Sequence, residues 1–320
     1  MKNFWKNKIV LVTGAAGFVG SHVVVALVNK GASVRAVYRP GKIPERLSSV
    51  IQKIEYCESN LEIDNSINDI CKNVEIVIHL AAQLHPRGKH GELFANNIII
   101  NNNVQNAVIA AGVKHFMLMS TVGVYPDSAE SPIIEDEGLK KEPEKNQRGY
   151  GWAKRAAEIQ AQLAEKKFGI EVSILRPSNV YGPQDNFEGD NLFVIPSLIN
   201  RIMKGEDPLI IQGDGKHLRS FLFVEDLVRA ILLSVEKNPG SAPMNIAPNT
   251  EISIRELVLL LLEVSGKKPK ICFNSDISGG RYQRSVNTER ASTALGFDAS
   301  TPIKIGLQKT LNWYQSHFDF

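Results

Sequence analysis

Cysteine is scarce: Cys57, Cys71 and Cys272 are the three in a chain of 320 residues, odd in number and far apart. They offer neither a disulfide framework nor a metal-ligand spacing, so no metal is expected, and a reducing, cytoplasmic setting is. Charge of one sign is missing too. Lys and Arg total 37 against 34 Asp and Glu, a net of +3 spread along the chain. A dedicated nucleic-acid binder concentrates basic charge on one face, and that class is excluded. A local basic cluster would still suit a phosphorylated small molecule. Long hydrophobic runs are absent: the longest near the C-terminus, Val258 to Leu262, is far too short to span a bilayer. The apolar run from Ile9 follows lysines as in a signal peptide, but it breaks at once into Gly14-Ala15-Ala16-Gly17. No leader and no membrane partner are expected.

What is present is alternation. Lys8–Thr13, Ser33–Tyr38, Glu75–Leu80, His115–Ser120 and Gly169–Leu175 read as strands. Helical stretches such as Gly20–Lys30 and Asn97–Ala111 separate them. This pattern predicts an α/β fold, a Rossmann-type doubly wound parallel sheet over residues 1–178. Past Arg176-Pro177, loops rich in Gly, Pro, Asn and Asp interrupt helices at Val194–Lys204 and Val224–Val235. Residues 179–320 are therefore expected to form a smaller, irregular α/β substrate lobe, with a segment near 220–250 returning to the first domain.

Strand residues Ile9 to Thr13 lead into Gly14-Ala15-Ala16-Gly17-Phe18-Val19-Gly20. A tight strand-to-helix turn needs glycine where a side chain would block the turn or a pyrophosphate. The N–H groups of the following helix, at Phe18 and Val19, then offer partial positive charge to that phosphate. The position after a strand and before a helix is the context this motif requires. NAD-binding chains usually hold the ribose 2′-hydroxyl with an acid at the end of the next strand. Here that end reads Val37-Tyr38-Arg39-Pro40. Arg39 is either a cation for a 2′-phosphate, which favours NADP over NAD, or a solvated charge at a strand end. Asn60-Leu61 would lie beside the adenine. Leu80-Ala81-Ala82 would let backbone approach the cofactor, with His79 read as a packed core histidine.

Tyr150-Gly151-Trp152-Ala153-Lys154 opens a helical segment running to about Phe168. Residues four apart share one helix face, so the phenol and the ammonium can act together. A phenol titrates near pH ~10, too high for efficient proton exchange at neutrality. A cation such as Lys154 is expected to lower it. Tyr150 would then take a proton from an alcohol as hydride leaves for the nicotinamide, or give one in reverse. Thr121, after Ser120 at a strand end, would orient the reacting oxygen or simply cap the strand.

Together these residues resemble the extended short-chain dehydrogenase/reductase family of sugar-nucleotide epimerases, dehydratases and reductases. The likeness runs through His79-Leu80-Ala81-Ala82, Ser120-Thr121, Tyr150-x-x-x-Lys154, Arg176-Pro177-Ser178-Asn179 and Arg219-Ser220-Phe221 to Leu295-Gly296-Phe297. It implies a nucleotide-sugar substrate, with Pro177 in the cofactor set. Arg219 and Arg281 would meet the diphosphate and Asn179 the sugar. It also implies a homodimer through the Asn97–Ala111 and Trp152–Phe168 helices. Ala156, Ile159, Leu163 and Ala164 form an apolar face on the second helix, although burial within one chain explains them equally.

The departures narrow the chemistry. Family dehydratases follow the active Ser/Thr with Asp-Glu, whereas this chain has Val122-Gly123. Dehydration is disfavoured, and so is decarboxylation of a uronic acid, which uses Glu where Gly123 sits. Tyr125-Pro126 and Asn179 to Phe187 resemble the GDP-fucose synthases, NADPH enzymes that use a Cys and a His to epimerise before reducing a 4-keto group. Gly123 and Gln184 stand at those two positions, and neither can shuttle a proton. The reading is a 4-keto reductase using NADPH; the alternative is a 4-epimerase retaining NAD. A non-sugar ketone reductase fits the polar loop Gln184–Asn191 poorly. A non-catalytic dinucleotide sensor would have no use for Tyr150, Lys154 and Thr121.

Overall fold

A computed structural model describes residues 3–41, 45–63, 66–84, 90–189, 192–274 and 284–318. Six strands build most of a central sheet: β1 (Ile9–Thr13), β2 (Ser33–Tyr38), β3 (Ile54–Glu58), β4 (Ile76–His79), β5 (His115–Met119) and β6 (Glu171–Pro177). Four short strands follow, β7 (Asn179–Tyr181), β8 (Leu209–Gln212), β9 (Leu218–Arg219) and β10 (Phe221–Phe223). Next, β11 (Met244–Ile246) joins β6 to complete seven parallel strands in the order β11-β6-β5-β4-β1-β2-β3. The order reverses between β1 and β4, and in an open α/β sheet a ligand crevice lies at such a switch point, beyond the carboxyl ends of the strands.

The period of two in the strands decides the layers. Val10 and Val12 face one core with Val23, Val24 and Leu27 of α1 (Phe18–Asn29). Leu11 faces the opposite core. There it meets helices that follow α2 (Ile67–Ile70), namely α3 (His90–Ala110) and α4 (Arg148–Phe168), through Val104, Ala107, Ala157 and Ala161. Alanines on the buried face of α4 let it lie close against α3. Of the apolar face read from the sequence, Ala164 is buried within the chain, whereas Ile159 and Leu163 are 43 % and 60 % exposed, so burial within one chain does not account for those two.

A third core gathers α5 (Val194–Met203), β8 and the segments beyond residue 250. The remaining strand pairs are β7 with β10, β9 with β12 (Ile252–Ser253), and β8 with β13 (Ile271–Asn274). In the first core, α6 (Val224–Lys237) packs its Leu227, Ile231 and Val235 beside α1. Among the described residues no helix is long and apolar enough to cross a membrane, and no cluster of His, Cys, Asp or Glu could hold a metal ion.

Candidate active site

Gly14 leaves β1 with a left-handed φ of +68°. A methyl group there would stand 3.0 Å from Ala81 N and 3.2 Å from Leu80 C, so the turn presses on the backbone at the end of β4. Only glycine meets both demands. The turn is also fastened sideways, Ala15 N donating to Val37 O at 3.1 Å. Gly17 precedes α1 without a side-chain cap, and no acidic residue occupies the helix's first turn. The N–H groups near Phe18 and Val19 therefore keep their partial positive charge unneutralised by any side chain of the helix's first turn. This cradle fits a dinucleotide pyrophosphate.

Thr13 and His79 support it from below. Thr13 Oγ1 accepts from Leu80 N (3.2 Å) and Ala81 N (3.1 Å), so its own proton goes to His79 Nδ1 at 2.7 Å. His79 Nε2–H is left to donate to Asn101 Oδ1 at 3.0 Å. Burial, reinforced by the Lys154 charge, pushes the His79 pKa down to about 3. The ring is a neutral core group that holds Leu80 and Ala81 in place, while Ala81 and Ala82 remain half-buried at the crevice.

Of the other cofactor positions, Asn60 accepts from Glu62 N (3.2 Å), and Leu61 is buried with its carbonyl held by Asn103. Arg39 is exposed at the end of β2, and its Nη2 donates to Glu62 Oε1 at 2.9 Å. Pro177 ends β6 in register with Ile246.

The catalytic candidates converge through α4. This helix starts at Arg148, two residues before Tyr150. A methyl group at Gly151 would stand 2.6 Å from Gly123 O and 2.7 Å from Pro143 Cβ, so the first turn of α4 lies directly on the Thr121–Val124 turn. One helical turn on, Lys154 Nζ donates to Met119 O at 2.8 Å, two residues ahead of Thr121. Arg155 Nε donates to Val124 O at 2.9 Å. The helix is thus held to the end of β5, which brings the turn of α4 bearing Tyr150 and Lys154 against the short turn that Thr121 opens.

Tyr150 is half-buried, with the Lys154 ammonium 5.6 Å from its ring centroid. Burial pushes the phenol above its ordinary range, and in the resting site Lys154 donates to Met119 O rather than to the phenol. The lowering expected from the sequence is therefore not built into the resting site. Lys154 itself is pushed down to about 8 by burial, against the pull of Glu158. Thr121 Oγ1 accepts from Gly123 N at 3.0 Å. That bond caps the turn but leaves the hydroxyl proton free to donate elsewhere.

On the substrate side, β7 pairs with β10 so that Asn179 lies opposite Phe221, and Asn179 Nδ2 donates to Ser220 O at 3.1 Å. Arg219 is next in line, Nη1 donating to Leu218 O at 2.7 Å. The two candidates are neighbours. Arg281 lies outside the described residues. Gln184 Oε1 accepts from Ser21 of α1 at 3.2 Å. Trp152 is exposed on α4, with the Arg155 guanidinium 4.9 Å from its ring centroid.

Sequence reasoning missed several supporting residues. Glu158 extends the Tyr150–Lys154 row by one more turn, accepts a hydrogen bond from Ser120 Oγ and pairs with Arg176. Arg284 donates to Val122 O at 3.1 Å and pairs with Glu144, hooking the later segment onto the catalytic turn. Arg46 Nε donates to Gln184 O at 2.8 Å while its Nη1 approaches Ala16 O at 3.4 Å. The spacing of 150, 154 and 158 was a readable signal. The other contacts join distant segments and leave no local pattern.

Comparison with known proteins agrees with this geometry. A dTDP-4-dehydro-6-deoxy-D-allose reductase of a Streptomyces species is 32 % identical over 98 % of each chain. The crystal structure of UDP-glucose 4-epimerase with UDP-glucose from Thermotoga maritima superimposes with a TM-score of 0.86 at 28 % identity, covering 96 % of this chain and 99 % of that one. MoeE5 in complex with UDP-glucuronic acid and NAD gives 0.81 at 31 % identity, covering 97 % and 99 %. The family model for the NAD dependent epimerase/dehydratase family matches residues 10–247. The chain belongs to that family, and it is an NAD(P)-binding enzyme of the extended short-chain dehydrogenase/reductase type.

Proposed function

We propose that this protein is an NADPH-dependent reductase of the 4-keto group of a nucleotide sugar. The observation that carries the proposal is the fastening of Tyr150 and Lys154 onto the Thr121 turn, through Lys154–Met119 and the Gly151–Gly123 contact. When bound, the nicotinamide would supply the hydride that the keto carbon gains. Thr121 donates its free hydroxyl proton to the keto oxygen and orients it. Tyr150 gives its phenol proton to that oxygen as the hydride arrives, and the Lys154 ammonium steadies the phenolate left behind. A high phenol pKa is no obstacle in this direction, because the acid form is the one required.

Val122-Gly123 provides no acid or base beside Thr121, which supports hydride transfer without dehydration or ring epimerisation. Asn179, Arg219 and Arg281 are assigned to the nucleotide sugar, bound between residues 1–178 and 179–320. The exposed stripe of Trp152, Ile159 and Leu163 along α4 supports a homodimer. The three free thiols support a cytoplasmic setting.

A 4-epimerase retaining NAD is the second reading. The Arg39–Glu62 pair favours it, because that arginine already has a counter-ion. The test is NADPH consumption with a panel of 4-dehydro sugar nucleotides, beginning with dTDP-4-dehydro-6-deoxyhexoses as in the Streptomyces relative. Stoichiometric formation of the 4-hydroxy sugar supports the reductase. Interconversion of 4-hydroxy sugars without net consumption of cofactor would overturn it.

A further inference from the structure

Arg39 and Glu62 sit at the carboxyl ends of neighbouring strands, one closing β2 and the other in the loop after β3. The arginine side chain is 57 % exposed, whereas the carboxylate is 21 % exposed and held from several directions. Its Oε1 accepts Arg39 Nη2 at 2.9 Å and also Gln83 Nε2 at 2.7 Å. Its own N–H is held by Asn60 Oδ1, and the preceding carbonyl, of Leu61, by Asn103 Nδ2 at 2.9 Å. Gln83 is fixed in turn: Oε1 accepts from Asn96 at 2.9 Å, and its backbone N–H donates to Asn97 Oδ1 at 2.9 Å.

With strands ordered β4-β1-β2-β3, the Glu62–Gln83 bond joins the loops after β3 and β4 across the carboxyl ends of β1 and β2. That is where the glycine-rich turn begins. An adenosine ribose in such a fold lies between this turn and the end of the second strand, and a 2′-phosphate there is met by a nearby arginine.

We propose that Glu62 sets the choice between NADP and NAD. Its carboxylate neutralises Arg39 and fixes a negative charge beside the place a 2′-phosphate must occupy. A 2′-phosphate must compete with Glu62 for the guanidinium and meets like-charge repulsion, whereas a 2′-hydroxyl meets neither. The inference rests on the dinucleotide reading of the glycine turn and deepens the question of cofactor choice. It stands whichever cofactor the native protein prefers.

The test is equilibrium binding of NADPH and NADH, followed by nucleotide fluorescence, to native protein, Glu62→Gln, Arg39→Ala and the double variant. Glutamine keeps an acceptor for Gln83 while removing the charge. Glu62→Gln is expected to tighten NADPH by up to about 5-fold, the upper end of the scale of a partly exposed ion pair, and to leave NADH unchanged. The double variant should lose that gain. An unchanged NADPH affinity, an equal shift for both nucleotides, or a weakening of NADH alone would overturn the proposal. If Arg39→Ala weakens NADPH while Glu62→Gln does nothing, Glu62 is discarded and the NADPH reading stands. If the native protein prefers NADH yet Glu62→Gln tightens NADPH selectively, the NADPH reading fails and the Glu62 proposal holds.

Discussion

The Glu158 carboxylate takes two parallel hydrogen bonds from the Arg176 guanidinium, from Nε at 2.9 Å and Nη2 at 2.6 Å. The pair is almost wholly buried, its side chains 3 % and 2 % exposed. Arg176 Nη1 reaches on to Tyr125 OH (2.9 Å) and Glu135 O (2.7 Å), and Tyr125 OH donates to Asn245 Oδ1 at 2.5 Å. The helix bearing Tyr150 and Lys154 is thereby locked to β6 and to the segment around β11. Because bidentate geometry and satisfied neighbours offset desolvation, the network acts as a positioning frame for α4.

Removing one partner leaves the other as an uncompensated buried charge. Glu158→Ala is expected to cost about 3–5 kcal/mol in urea denaturation, and Glu158→Leu with Arg176→Met distinctly less. Equal losses for the single and double variants would show that packing, rather than the ion pair, is at stake.

Tyr150→Phe keeps the ring beside Lys154 but removes the proton donor. Turnover is expected to fall about 10²–10⁴-fold, the usual worth of a positioned acid. Nucleotide affinity and thermal stability should stay near native values. Turnover within a few-fold of native would mean that Tyr150 is not the proton donor.

Lys154 is charged below its pKa of about 8 and neutral above it. Glu158 and Tyr150 face it from α4, and His79 faces it from β4. Since the ammonium steadies the Tyr150 phenolate, ketone reduction should decline as pH rises through about 8. Glu158→Gln withdraws the pull that raises this pKa and should move the alkaline limb to lower pH. A purely structural role for Glu158 would lower the rate at every pH and leave the limb in place.

His79 titrates at about 3 in the fold against 6.5 for the unconstrained side chain. Between those values the unfolded chain takes up a proton that the folded ring refuses. Stability is therefore lost as pH falls below 6.5, at up to about 1.4 kcal/mol per pH unit. His79→Gln, whose amide can still reach Thr13 and Asn101, should show a shallower decline between pH 6 and 4.5. Identical slopes would place the acid sensitivity in other groups.

The strands, the glycine turn and the Tyr150–Lys154 spacing were legible because each is written in local periodicity. Val10 and Val12 alternate with Leu11, and residues four apart share one helix face. What joins distant segments was not legible. Arg176 and Ser120 lie 18 and 38 residues from Glu158, and Glu62 lies 23 from Arg39. The apolar stripe on α4 was legible only in part for a related reason: periodicity marks an apolar face without saying which surface covers it. The small Ala157 and Ala161, outside that stripe, are the contacts buried within the chain.

A reductase exchanges its cofactor at every turnover, and denaturing freshly purified protein, without added nucleotide, and identifying what is released shows whether this protein does so. An empty site or one holding NADP is expected, with NADPH consumed once 4-dehydro sugar nucleotides are supplied. Stoichiometric NAD would contradict the reductase and establish a cofactor that is retained and recycled, as 4-epimerisation requires.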